Sequence, residues 1–180
     1  MKRFTKYGLL MVMIGLTACS EFGTKEFSSP DDLFTVPDSG SMILYPQLVQ
    51  CHPGDTIDLR LSVEGVLTLS GFQCALILPP FVELLRIEPG LFFSRYETDG
   101  ASIFISEAKD DLTLIYSSFL AEGERHSVDG SGELAIVWLR ALRTGAGEVS
   151  IEGEQSILAD ADGAEIEISG IYSSEIEVME

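Results

Sequence analysis

Residues 56–63 (TIDLRLSV) alternate polar and apolar side chains without a break. That period of two is useless to a helix and is what a half-buried strand requires. Pro53-Gly54-Asp55 precedes it as a turn. The same pattern recurs along the chain. Residues 72–78 (FQCALIL) alternate and stop at Pro79-Pro80, and 82–87 (VELLRI) run into Glu88-Pro89-Gly90. Residues 102–106 and 112–117 flank Ala108-Lys109-Asp110-Asp111, a hairpin signal. Residues 133–142 (ELAIVWLRAL) form a long strand closed by Arg143-Thr144-Gly145-Ala146-Gly147, and 148–151, 156–159, 164–168 and 175–178 complete the set. No segment has both the length and the period of an amphipathic helix. The expected fold class is all-β, an antiparallel β-sandwich of about nine strands.

The N-terminus is of another kind. Lys2, Arg3 and Lys6 precede the apolar run 8–16 (GLLMVMIGL), which is too short to span a bilayer as a mature helix. Leu16-Thr17-Ala18-Cys19 follows. This order resembles the bacterial lipoprotein signal, in which residues 1–18 are removed and Cys19 is lipidated. Acyl chains contribute about 0.8 kcal/mol per buried CH₂, so two or three of them anchor a protein durably. Ser20 rather than Asp follows the cysteine, which under enterobacterial sorting directs the product to the outer membrane. Residues 19–42 are rich in Ser, Pro, Gly, Asp and Thr and form a linker, with Phe22, Phe27 and Phe34 unusual for a spacer. As a coil it reaches about 25 Å. Residues 43–180 remain for one β domain. The expected location is therefore exported and membrane-anchored at the cell envelope.

Charge narrows the partners. The chain has 11 Lys+Arg against 29 Asp+Glu, and the leader removes three cations and no acids, leaving 8 against 29 and a net of −21. Such a chain is repelled by nucleic acid, and no basic stripe exists. Cys51 and Cys74 are expected as two free thiols, although export permits a disulfide. The two histidines, His52 and His126, have no zinc-type spacing with the cysteines, and no metal or other cofactor is expected. Asp160-Ala161-Asp162-Gly163 invites calcium, but Ala164, Glu165 and Ile166 break the loop pattern, so a hairpin turn is expected. Gly130-Ser131-Gly132 is not a nucleophile elbow, and no carboxylate pair stands out, so no catalytic residues and no enzyme are expected. Trp138 lies in a strand with few polar breaks and is expected in the core.

Four segments in order resemble the cohesin family, the jelly-roll modules that receive dockerins. They are Pro53-Gly54-Asp55-Thr56 before an alternating strand, residues 71–80 (GFQCALILPP) with 82–90 (VELLRIEPG), Asp129-Gly130-Ser131-Gly132-Glu133-Leu134-Ala135, and Asp160-Ala161-Asp162-Gly163-Ala164-Glu165-Ile166. The resemblance covers roughly residues 44–180 and implies a jelly-roll fold and a non-catalytic role. Leu78 and Pro79 stand where cohesins usually have Tyr-Asp, and Gly71 and Gln73 stand where many carry Asn or Asp.

In cohesins the strands matching 72–78 and 112–117 lie side by side on the dockerin-binding sheet. Taking Phe72, Cys74, Leu76 and Leu78 as inward leaves Gln73, Ala75 and Ile77 outward. Taking Leu112, Leu114 and Tyr116 as inward leaves Thr113, Ile115 and Ser117 outward. These six residues are the expected partner-binding face. The expected partner is an exported protein, dockerin-bearing by the resemblance. A carbohydrate-binding lipoprotein on the same fold, holding a polysaccharide, and a structural subunit of an envelope complex are the alternatives.

Overall fold

The structure, a computed structural model, describes residues 40–94, 102–109, 112–120 and 127–180. Cys19, the leader, most of the linker and His126 lie outside the described residues. The described chain carries thirteen strands, nine of them five residues or longer. They are β1 (Ser41–Tyr45), β2 (Leu48–Cys51), β3 (Thr56–Leu69), β4 (Gly71–Ile77), β5 (Val82–Pro89), β6 (Ser102–Lys109), β7 (Leu112–Phe119), β8 (Val128–Ala141), β9 (Gly145–Ile151), β10 (Ile157–Ala159), β11 (Glu165–Ile166), β12 (Gly170–Tyr172) and β13 (Ser174–Val178). One short helix, α1 (Leu91–Ser94), follows β5, and a 3-10 turn at Gly153–Gln155 links β9 to β10.

Two sheets form the sandwich. The first has the order β12-β1-β3-β8-β5. The second has eight strands, with β10 and β9 sharing one side of β4, β11 beyond β10, and β13 and β2 beyond β9. On the other side of β4 lie β7 and then β6. Pairing is antiparallel except for β1 with β12 and β13 with β2, which are parallel. This is the two-layer jelly-roll class expected.

The alternation in residues 56–63 resolves as predicted. Ile57, Leu59, Leu61 and Val63 of β3 are buried, and so are Val137 and Leu139 of β8. They meet Phe72, Cys74 and Leu76 of β4 with Val149 and Ile176 from the second sheet in one apolar core. Burial of each such large side chain is worth about 1.5–3 kcal/mol. Helix α1 closes one end: Phe93 stacks on Phe72 at 5.9 Å and meets Phe119 edge-on at 4.9 Å.

Two glycines from the family signatures have steric reasons. A Cβ at Gly90 would strike the carbonyl of Glu133, and one at Gly132 would strike the Phe92 ring. Strand β1 starts at Ser41, with Ser41 and Met42 buried between β3 and β12.

Candidate functional site

Register places every side chain of the second sheet, because residues directly opposite in an antiparallel ladder share a face. Strands β4 and β7 pair Gln73 with Tyr116, Cys74 with Ile115, Ala75 with Leu114, Leu76 with Thr113 and Ile77 with Leu112. Cys74 and Leu76 face the core, as expected. Gln73 and Ile77 face outward; Gln73 is half-buried and donates from Nε2 to the Gln155 carbonyl at 2.9 Å. Ala75 points the same way but is fully buried. The 152–156 crossover packs there, with Glu152 N–H on the Ala75 carbonyl at 2.8 Å and the Ser156 hydroxyl accepting from Ala75 N–H at 3.1 Å.

The β7 assignment is corrected. Thr113, Ile115 and Ser117 face the core, at 4%, 0% and 3% exposure, while Tyr116 is 41% exposed on the outside. Leu112, Leu114 and Tyr116 are more apolar than their neighbours, so an inside-apolar rule inverts the strand. The pairing with β4 overrules it, because Ile115 must share the face of Cys74.

The outer surface is accordingly more apolar than the six expected residues provide. One row crosses four strands: Ile105 of β6, Tyr116, Gln73 and Ile157 of β10. Ile103, Leu114 and Ile77 flank it on the same side. Ile105, Tyr116 and Ile157 are 50%, 41% and 40% exposed. Exposed apolar side chains gathered on one face are what a contact surface requires.

Above that row lies a groove of about 600 Å³ whose lining includes Gly71, Gln73, Tyr116, Ser118, Ile157, Ala159 and the turn Asp160, Ala161, Asp162 and Gly163. Gly71 pairs with Ser118 on one side and Ala159 on the other, so the floor is a row of small residues. The turn is the hairpin expected, joining β10 to β11. Asp160 Oδ1 accepts from Asp162 N–H at 3.0 Å and Ala164 N–H at 2.8 Å, and Gly163 takes a φ of 79°. The carboxylate thereby serves as the turn's own acceptor. Among the described residues no group of three or more His, Cys, Asp or Glu side chains is placed to hold a metal ion.

Cys51 and Cys74 are free, buried thiols. Burial pushes the Cys74 thiol up to about 12, opposed by its contact with the Ser156 hydroxyl. Burial, then the charge of Asp55, raises Cys51. Both are therefore protonated near neutrality and poor nucleophiles.

Trp138 is also corrected: it is half-buried on the outer face of the first sheet. The Arg86 guanidinium lies 4.3 Å from its ring centroid, and its Nε1 donates to Glu88 at 3.0 Å. Those two donors, Arg86 first, hold the Glu88 carboxyl below its usual range. One face of the indole is thus occupied by Arg86, and Tyr116 lies on the opposite sheet, so the two rings make no common sugar platform.

The described chain is thus a two-sheet jelly roll with Ile105, Tyr116 and Ile157 exposed on its larger sheet. No family model matches the sequence, and no curated protein matches it. Solved structures do match. A non-cellulosomal cohesin from the hyperthermophilic archaeon Archaeoglobus fulgidus superposes with a TM-score of 0.63 at 15% identity, covering 79% of this chain and 92% of that one. The cohesin CaCohA2 from Clostridium acetobutylicum gives 0.62 at 16%, covering 78% and 91%. A type I cohesin–dockerin complex from Clostridium thermocellum gives 0.61 at 18%, covering 81% and 98%. The chain has the cohesin fold.

Proposed function

We propose that this protein is a non-catalytic docking module that captures a dockerin-bearing exported protein, with Cys19 lipidated to hold it at the cell envelope. The observation that carries the reading is the exposed Ile105, Tyr116 and Ile157, set in one row with the half-buried Gln73 on the second sheet. The shared fold supports it, since the Clostridium thermocellum structure is a cohesin–dockerin complex. Fold alone does not transmit a partner, and the partner is therefore a matter for capture. The outer membrane is the proposed location, from the Leu-Thr-Ala-Cys box followed by Ser20.

The test is a pull-down of exported proteins on the full chain, run with calcium and again with chelator. Calcium-dependent capture of a dockerin-bearing protein, lost in Tyr116→Lys and Ile105→Lys with unchanged melting temperatures, is the expected result. Capture that ignores calcium would replace this reading with a structural envelope subunit. Binding only to glycan would replace it with a polysaccharide module. Cys19→Ser should release the protein from the detergent phase.

A further inference from the structure

The groove beside the apolar row has a chemistry of its own. Its floor, Gly71 with Ser118 and Ala159, offers depth rather than a hydrogen-bonding anchor. Tyr116 and Ile157 give it apolar walls, and Asp160 and Asp162 stand at the turn that bounds it. The turn is held in place by the two bonds to Asp160 Oδ1. Asp162 is exposed.

Arg60, Arg86 and Arg140 lie on the first sheet, and each already meets a glutamate, Glu133, Glu88 and Glu83 respectively. On the outer side of the second sheet Glu165, paired with Ala159 at the groove's edge, forms no ion pair among the described side chains. An apolar depression with Asp162 and Glu165 at its edge favours a long side chain with an aliphatic stem and a cationic end.

We infer that the partner inserts a lysine- or arginine-type side chain into this groove, its stem lying over Gln73 against Tyr116 and Ile157 and its cationic head at the 160–163 turn. The inference rests on the docking-face reading and deepens it: the surface that docks here is apolar at its centre and basic at one side. A second copy of this chain is a poor occupant, because its matching face is equally acidic. The N-terminal segment 20–39 is poor for the same reason, with five acids against Lys25.

The probe is n-butylguanidinium, an arginine side chain without its backbone, titrated into the full chain labelled with ¹⁵N; pentanoate is the control of opposite charge. Saturable shifts at the amides of Gly71, Ser118 and Gly163 are expected with n-butylguanidinium and absent with pentanoate. Asp162→Asn should weaken the effect by about threefold, the scale of one exposed ion pair, and Asp58→Asn on the first sheet should leave it unchanged. Shifts spread evenly over the surface, an equal response to pentanoate, or none at the groove would overturn the inference. The dockerin capture run in parallel separates the two claims. Capture that depends on Tyr116 with a silent groove removes the inference and leaves the docking reading. A filled groove without dockerin capture removes the dockerin and keeps a basic partner.

Discussion

Ile115 and Tyr116 are neighbours in one strand, and exchanging their roles is the sharpest test of the docking face. Ile115 is 0% exposed, set opposite Cys74 and directed into the core, whereas the Tyr116 ring is 41% exposed. Truncating Ile115 to alanine removes three buried carbons and leaves a void, a change that costs about 2–5 kcal/mol. Truncating Tyr116 removes a side chain whose exposed part gains nothing from folding, so its cost should stay within about 1 kcal/mol. With a urea slope of about 2 kcal/mol per molar for a domain of this size, Ile115→Ala should lower the unfolding midpoint by about 1–2.5 M and Tyr116→Ala by less than about 0.5 M. Binding should show the reverse, because an aromatic at the centre of a contact face carries about 2 kcal/mol or more. That is roughly a thirtyfold loss of affinity for Tyr116→Ala, while folded Ile115→Ala retains capture. Urea melts followed by far-ultraviolet circular dichroism, with capture measured below the midpoint, give both numbers. A large midpoint loss for Tyr116→Ala with a small one for Ile115→Ala would mean that β7 presents its other face and would remove the site.

Two further outcomes follow from close packing and from burial. Gly132→Ala drives a methyl into the Phe92 ring and should destabilise the domain by about 1–3 kcal/mol, read as a lower melting temperature. The Cys74 thiol, raised from its ordinary 9.0 to about 12, contributes stability that is complete below pH 9 and is lost as pH rises from 9 towards 12, since the unfolded thiol ionises first. The melting temperature should fall across that window more steeply in the parent than in Cys74→Ala, and a thiol reagent at pH 8 should modify Cys74 only in denaturant. Equal slopes, or rapid labelling of the native protein, would contradict the burial.

Most of the architecture is legible in the sequence because its cause is local. The alternation of β3 and the punctuation at Pro79-Pro80, Glu88-Pro89-Gly90 and Asp160 to Gly163 are short-range facts, and the strands lie where those signals put them. Strands β1, β2 and β12 are less legible. They are short, and β1 and β2 owe part of their pairing to parallel partners more than a hundred residues away. Half of the candidate face follows from parity: Gln73 and Ile77 are outside as expected. The β7 half does not, since Leu112, Leu114 and Tyr116 outweigh Thr113 and Ser117 on any hydropathy argument. The apolar residues of β7 that a core-first reading turns inward are the ones the β4 ladder turns outward. Trp138 misleads in the same way: its strand is apolar on both faces, and Arg86 and Glu88, which hold it outside, come from β5.

Strand β7 has a consequence for how the chain reaches this structure. A strand normally selects its register through its own pattern, since a slip of one residue would expose its apolar side. Here a slip would bury Leu112, Leu114 and Tyr116 and release Thr113, Ile115 and Ser117, an exchange that hydrophobicity alone resists weakly. A β6–β7 hairpin forming by itself therefore has two nearly equivalent ways to approach the rest of the sandwich. The choice falls to β4, whose seven successive partnerships with β7, from Gly71 with Ser118 to Ile77 with Leu112, admit only one. The face that β7 turns to the core is thus written in its neighbour, β4, rather than in its own residues.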